Sequence, residues 1–349
     1  MLNSQNMLKI ITDRRLVARC RGRFLAGLRP FWDRRVPVCI GHPGGRFPAR
    51  VHWSERLGLW MCHRRTEEGQ IWTLLGTERP EEGAVVSITC ELNVPAEGRD
   101  RRVGAAFGRD ARGRVFLVHR GRLGGGQRGM GKKIFLERFR GVWTDLDEGD
   151  GVAEVAVVCC LGSRSLADQV SLFVHKVAAV KAEVRDERSP QLAIPLEAGG
   201  FQIRRIGGSG AEEGFDLAGR CDHGPLVLAL AGALRGRGYR PANDDGGDLY
   251  LSSAGGDKGA VFRVVTGGGG DTVRREAALL LWEGAGRTDH PLLVLVLPRS
   301  PTPEEAAELR ARGIETLAYG WEGSDAVFPQ LDDLFPPRPP REASPKKKR

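Results

Sequence analysis

The chain has 349 residues, with 53 lysines and arginines against 44 aspartates and glutamates, and a net charge of +9. This length is enough for two or three domains with cores of their own, and no apolar stretch approaches the roughly 20 residues that span a bilayer. The opening sequence MLNSQNMLKIITDRR lacks the apolar centre of a signal peptide, and the seven scattered cysteines form no C-x-x-C pair. We therefore expect a cytoplasmic protein with reduced thiols and no membrane contact.

Positive charge is concentrated in the first 140 residues. Residues 1–50 hold eleven lysines and arginines against two aspartates, and residues 99–140 hold thirteen against three acidic residues. The segment between them has a net charge of −4, so the first 140 residues sum to +15 and the remainder to −6. If the protein binds a polyanion, the N-terminal part is the predicted binding surface.

The N-terminal part is predicted to be rich in short β-strands. Arg14 to Trp32 reads as a basic amphipathic helix or an extended arm, and a strong helix is predicted over Ser165 to Val184. Between them, turn signals separate short apolar runs, which predicts an antiparallel sheet or a small barrel. Tryptophans on such strands are more typical of core residues than of base-stacking residues. The candidate strands are Val36 to Ile40, Arg50 to Trp53, Leu59 to His63, Gln70 to Leu75, Ala84 to Leu92, Val103 to Phe107, Arg114 to His119 and Ala153 to Leu161.

A glycine-rich basic loop connects the strand that ends at His119 to a predicted helix at Lys132 to Arg140. Glycines let backbone amides point at one centre, and a helix N-terminus adds partial positive charge, so the arrangement suits phosphate. Gly126 to Lys132 fits G-x-x-x-x-G-K, but Lys133 replaces the Ser or Thr that would hold Mg²⁺, which argues against nucleotide hydrolysis. A purely structural loop is the alternative. The predicted phosphate-binding residues are His119, Arg120, Arg122, Gly125, Gly126, Arg128, Gly131, Lys132 and Lys133.

The second half of the chain alternates predicted helices and strands. Gly224 to Gly238 and Asp271 to Trp282 read as helices, Leu292 to Leu297 is typical of a buried parallel strand, and Thr302 starts a further helix. With two strands near Asp248 and a last one at Ile314 to Tyr319, the predicted order is α-β-β-α-β-α-β. This pattern favours an α/β domain.

Residues 223–334 resemble the core of the PD-(D/E)XK nucleases in this order of elements and in one local motif. In that family an acidic residue opens one strand, and the next strand carries an acid and a lysine two residues apart, all directed at Mg²⁺. Here Asp248 stands at the first acidic position, whereas Arg263 and Val265 replace the second acid and the lysine. A guanidinium repels a metal ion and a valine binds none, so the resemblance implies a nuclease-like domain without its catalytic residues.

An active nuclease is an alternative, because catalytic groups can migrate in this family. In that case Asp248 and Glu276, on the helix that crosses the sheet, are the predicted catalytic residues, and Asp248 is the predicted Mg²⁺ ligand. Otherwise we expect no metal and no cofactor.

These patterns predict a two-domain protein of mixed α+β and α/β class. A basic β-rich module at residues 1–185 would be joined by a linker at 186–222 to a restriction-endonuclease-like α/β core at 223–335, followed by a disordered basic tail at 336–349. The predicted function is nucleic-acid binding, with DNA expected before RNA, and the nuclease-like core would serve as a scaffold or a protein-binding surface. The resemblance implies a bacterial restriction, antiviral defence or repair setting. A non-DNA adaptor that binds a nucleotide or an acidic protein is a further alternative.

Overall fold

The structure is a computed structural model that describes residues 7–42, 44–65, 71–122, 131–186, 216–243, 248–252, 258–267, 269–285 and 290–338. The described chain divides into two compact units, an N-terminal unit of residues 7–186 and 216–225 and a C-terminal unit of residues 226–338. Both units mix helices and strands, as predicted. Within the described residues, no helix is long and apolar enough to cross a membrane.

The N-terminal unit is built mainly from short strands, as the short apolar runs between turn signals predict. In chain order its elements are β1 (Leu8–Ile10), α1 (Arg14–Leu28), β2 (Arg34–His42), β3 (Gly45–Ser54), β4 (Leu59–Arg65), β5 (Ile71–Gly76), β6 (Val85–Ser87), β7 (Cys90–Glu91), β8 (Ala105–Arg109), β9 (Val115–His119), α2 (Lys132–Arg138), β10 (Trp143–Asp147), β11 (Val152–Cys160), α3 (Leu166–Asp186) and the first part of α4 (Leu217–Gly236).

One sheet of this unit closes into a barrel of five strands in the order β1-β10-β11-β9-β8. The barrel closes because β1 pairs in parallel with β10 on one side and antiparallel with β8 on the other. Successive side chains of a strand point to opposite faces, so β9 contributes to two cores. Leu117 packs with residues of α1 and α3, whereas Phe116 and Val118 pack with Leu217 and Cys221 of α4.

The other sheet of the unit has six strands in the order β6-β2-β3-β4-β5-β7 and is called the curled sheet here. Its two end strands, β6 and β7, are separated by only Ile88 and Thr89, so the sheet bends round towards closure. Thr89 helps to bridge the ends, because its N–H donates to the carbonyl of Leu75 on β5 at 2.8 Å. The inner face buries its own core around Ile40, Trp53, Trp60 and Leu74. Leu59, Met61 and Leu75, on the outer face, pack with α1 and α3.

The C-terminal unit is an α/β layer structure. After the second part of α4 it contains β12 (Pro241–Ala242), β13 (Leu249–Ser252), β14 (Lys258–Val264), α5 (Gly270–Gly284), β15 (Leu292–Leu297), α6 (Pro303–Ala311), β16 (Ile314–Ala318), β17 (Gly320–Glu322), β18 (Asp325–Val327) and α7 (Leu331–Leu334).

Five of these strands form one mixed sheet in the order β12-β13-β14-β15-β16. The first three are antiparallel, and β14, β15 and β16 are parallel. Successive side chains of β14 point to opposite faces of this sheet. Phe262 and Val264 therefore pack in the core with α4, and Val261 packs in the core with α5. The unit thus has a helical layer on each face of its sheet, and the sequence prediction lacked only the short strands β12, β17 and β18 and the helix α7.

Two predicted boundaries differ from the structure. The predicted linker at 186–222 lies mostly outside the described residues, but residues 217–222 are already helical in α4. The helix therefore begins before its predicted start at Gly224, and it continues through Pro225, a residue that lacks a backbone donor and disfavours helix interiors. The predicted disordered tail began at Pro336, yet the Pro336 carbonyl accepts a 3.0 Å hydrogen bond from the Tyr239 hydroxyl, and the Arg338 guanidinium lies 4.1 Å from the Tyr239 ring centroid.

Candidate anion-binding site

Two residues of the predicted phosphate loop, His119 and Arg120, are buried at 0% and 5% exposure. Arg120 donates through Nη2 to Glu148 Oε1 at 2.7 Å and through Nη1 to the Ala105 carbonyl at 3.0 Å. Burial raises the pKa of Glu148, but hydrogen bonds from Arg120 and Arg101 outweigh it and hold that pKa below its usual value. Arg120 is thus the buried partner of a carboxylate and has no surface to offer a phosphate.

His119 is enclosed by aromatic rings. Its ring centroid lies 5.8 Å from that of Phe135 and 5.6 Å from that of Phe173, and its Nδ1 accepts a 3.0 Å hydrogen bond from the Gly121 N–H. Burial lowers the pKa of His119 to about 4, so the ring is neutral at pH 7. The prediction that His119 and Arg120 contact phosphate is therefore wrong, because His119, the last residue of β9, packs between aromatic rings and Arg120, directly after it, is buried by its ion pair with Glu148.

The other described residues of that loop are on the surface. Arg122, Gly131, Lys132 and Lys133 are exposed, Gly131 caps the short helix α2, and Lys133 Nζ lies 3.9 Å from Glu137 Oε1. Gly125, Gly126 and Arg128 lie outside the described residues. Phosphate binding by Arg122, Lys132 and Lys133 stays a prediction.

A different group of cations lines a cavity of about 340 Å³ between α1 and the β4–β5 hairpin. We call it the arginine cavity. Arg14, Ala18 and Arg21 follow one another at helical spacing, so they share one face of α1. His63 and Arg65 lie two residues apart on β4 and face the same side of the sheet. The remaining lining residues are Ile71 and Ala96.

Helix α1 is held in place independently of these cations. Asp13 caps its first turn by accepting a 2.8 Å hydrogen bond from the Leu16 N–H, which satisfies one of the unpaired donors of a helix start. Val17, Cys20, Phe24 and Leu28 form its buried stripe. The arginines therefore sit on a helix whose packing does not depend on them.

The cavity brings like charges close together. Burial and then the positive charge of Arg65 lower the pKa of Arg21, and burial and then the charge of Arg21 lower the pKa of His63. Arg14 lies 4.0 Å from Glu97, and both side chains are more than half exposed. Such a surface pair offsets little of the repulsion. An anion in the cavity would relieve this repulsion, and guanidinium groups match phosphate oxygens in geometry.

A chain of hydrogen bonds fixes the imidazole at the cavity wall. His63 Nδ1 lies 3.0 Å from Thr73 Oγ1, and the Thr73 N–H donates to Asn93 Oδ1 at 2.8 Å. Asn93 Nδ2 in turn donates to Glu91 Oε2 at 2.7 Å. The ring therefore presents a set orientation to the cavity, and sequence inspection missed it because no motif links residues 14–21 with residues 63–71.

In the C-terminal unit, the residues compared with a nuclease site are Asp248, Arg263 and Glu276. Each of them is already bound to another group of the protein. Arg263 Nε donates to Glu276 Oε2 at 2.7 Å, and Arg263 Nη1 lies 3.9 Å from Glu283 Oε2. Asp248 Oδ2 accepts a 2.7 Å hydrogen bond from the Val264 N–H. Because the Arg263 guanidinium binds Glu276, and a backbone N–H binds Asp248, these residues do not fit a divalent cation. Within the described chain no group of three or more His, Cys, Asp or Glu could hold a metal.

Comparison with family models, with curated proteins and with solved structures finds no match to this chain. The function must therefore be argued from its own residues.

Proposed function

We propose that the N-terminal unit binds nucleic acid and that the arginine cavity holds one of its phosphate groups. The observation that carries this proposal is the convergence of Arg14, Arg21, His63 and Arg65 on one cavity. Phosphodiester binding needs donors and positive charge but no metal, and this lining supplies both.

The surroundings of the cavity favour a polymer over a single small anion. Helix α1 has no acidic residue in its sequence RRLVARCRGRFLAGL, and the helix and the residues just after it expose arginines that do not line the cavity. A polyanion gains from every such charge through the release of its counterions, whereas a lone phosphate gains only from those that touch it. These flanking residues are Arg15, Arg19, Arg23, Arg29, Arg34 and Arg35.

The C-terminal unit is, in this proposal, a nuclease-like scaffold without a working metal site, in a protein of bacterial restriction, defence or repair. An antiparallel β12-β13-β14 meander followed by parallel β15 and β16 supports the PD-(D/E)XK resemblance. Val265 is 1% exposed and packs in the core, and Glu276 is bound by Arg263, so neither position supports the active alternative. Trp282 and Leu279 on α5, exposed at 81% and 43%, offer an apolar surface for a protein partner.

The proposal is tested by fluorescence anisotropy with labelled duplex DNA, single-stranded DNA and RNA over a series of salt concentrations. We expect Arg21→Gln to weaken binding at least about 10-fold, because it removes a charge-assisted contact. We also expect it to reduce the slope of log K against log salt by about 0.7 to 0.9, the contribution of one phosphate contact.

A matched control is Arg274→Gln, which removes an exposed helical arginine from the C-terminal unit. It should leave affinity and slope unchanged. Competition with ATP or GTP separates a polymer site from a nucleotide site, since a nucleotide-binding adaptor would release the labelled polymer. Wild-type affinity and slope in the Arg21→Gln protein would refute the assignment of the cavity.

A further inference from the structure

One open end of the curled sheet carries a cluster of aromatic side chains from three strands. His42 lies at the end of β2, Phe47 near the start of β3 and Trp72 near the start of β5. The ring centroids of Phe47 and Trp72 are 5.9 Å apart, and those of His42 and Phe47 are 5.5 Å apart. Arg64 on β4 places its guanidinium 5.1 Å from the Phe47 centroid. We call these four residues the aromatic mouth.

The aromatic mouth covers the inner core of the curled sheet, and its own residues remain at least partly exposed to solvent. Phe47 and Trp72 pack on that core and stay partly exposed, as does His42, while Arg64 is exposed. Aromatic faces flanked by a guanidinium suit a flat π system, because both the ring and the guanidinium plane can stack on it.

The charge around the mouth favours a base over a phosphate. Glu91 of β7 pairs with Leu74, two residues from Trp72, so its side chain lies on the same inner face of the sheet. A carboxylate repels phosphate but can accept a hydrogen bond from the amino group of a base. The phosphates are therefore better placed in the arginine cavity.

The mouth and the arginine cavity are adjacent along the same two strands. On β4, His63 and Arg65 line the cavity and Arg64 between them belongs to the mouth. On β5, Ile71 lines the cavity and the next residue, Trp72, belongs to the mouth. Neighbouring strand residues rise only about 3.3 Å but point to opposite faces, so the two sites lie on opposite faces of the sheet at the same end of β4 and β5.

We infer that the aromatic mouth stacks an unpaired base of the strand whose phosphate occupies the arginine cavity, so that the ligand is single-stranded nucleic acid. This inference rests on the proposed function. A base inside a duplex is paired and stacked on its neighbours, and it reaches such a mouth only if it is unstacked first.

The experiment compares three labelled ligands of equal length, about 12 nucleotides: a single strand of mixed sequence, an oligomer of abasic units with the same phosphates, and a blunt duplex. The wild-type protein should bind the mixed strand more tightly than the abasic oligomer or the duplex. Trp72→Leu and Phe47→Leu keep an apolar side chain on the core but remove the ring, and Arg64→Gln changes an exposed residue without touching the core. Trp72→Leu and Phe47→Leu should each weaken the mixed strand about 10-fold and leave the abasic oligomer unchanged. Arg64→Gln also removes a charge, so it should weaken both ligands, and the mixed strand more than the abasic oligomer.

Trp282→Leu is the matched control, because it removes an exposed tryptophan from the C-terminal unit. The mixed strand should quench tryptophan fluorescence in the control and less in the Trp72→Leu protein. Equal affinity for the mixed and abasic strands, with binding still lost in Arg21→Gln, would overturn the inference and leave the proposed function standing. No binding of any ligand would overturn both.

Discussion

The buried imidazole of His119 makes the stability of the N-terminal unit depend on pH in a defined window. Its pKa falls from 6.5 to about 4 because burial penalises the charged ring. Between these values the unfolded chain takes up a proton that the folded chain does not. The contribution of the neutral ring to the free energy of unfolding is therefore fully present above pH 6.5. It decreases as the pH falls towards 4, and below that pH it changes no further.

The size of this loss follows from the same two pKa values. A change from 6.5 to about 4 corresponds to about 3 kcal/mol of the free energy of unfolding. That is a sizeable share of the 5–15 kcal/mol by which domains of this kind are stable. The buried carboxylate of Glu148 adds a loss in the same direction, but only below its ordinary pKa of 4.5, so the two contributions separate in pH.

We expect His119→Asn to remove this dependence. The amide oxygen of the introduced asparagine can still accept from the Gly121 N–H, which in the wild-type protein donates to the imidazole Nδ1 at 3.0 Å. The lost ring volume between Phe135 and Phe173 should lower stability equally at every pH. Only the slope of the free energy of unfolding against pH, between pH 6.5 and 4, reports on the protonation of the His119 ring.

The assay is urea unfolding at half-unit pH intervals, followed by hydrogen exchange of the β9 amides. His290→Asn, at an exposed histidine in the C-terminal unit, controls for loss of a histidine as such. A direct titration of the His119 ring by NMR should give a pKa near 4. If His119→Asn kept the wild-type slope across this window, the ring would not be buried and neutral, and the reasoning would fail.

Two further changes test the packing that positions the site. Glu148→Gln should lower the free energy of unfolding by about 3–5 kcal/mol in urea titrations, because it leaves the Arg120 guanidinium buried without its counter-charge. Wild-type stability would show that this pair is hydrated. Gly76→Ala should cost about 1–3 kcal/mol, because the added Cβ would lie 2.4 Å from the Trp60 ring. An unchanged melting temperature would mean that the curled sheet adjusts at no cost.

Local pattern was enough to predict most of the architecture. The sequence of Arg14 to Trp32 predicted a basic amphipathic helix or an extended arm, and the structure has the helix α1, which buries Val17, Cys20, Phe24 and Leu28. Thr302 predicted a helix start, and it forms a capping box with Glu305. Short apolar runs between turn signals predicted β2 to β5, β8 and β9. These predictions succeeded because each depends on neighbours within a few residues along the chain.

The failures at the candidate site involve contacts between distant segments. His119 and Arg120 were predicted to contact phosphate from the end of a strand, but the fold buries His119 beside Phe173 and Arg120 beside Glu148. The arginine cavity escaped notice for the same reason. Its two walls, α1 and the β4–β5 hairpin, are some 40 residues apart, and only the tertiary fold brings them together.

Net charge points to the N-terminal part of the chain, and the proposed arginine cavity lies in that part but outside its most basic segment. Residues 99–140 look most basic, yet Arg99, Arg101 and Arg120 from this segment are held by Glu148 or Asp150, which lie beyond it in sequence. Residues 51–98 look acidic, yet they supply His63 and Arg65 to the cavity. What matters for an anion is the charge that the fold gathers in one place, and in this proposal α1 and β4 supply it to the arginine cavity.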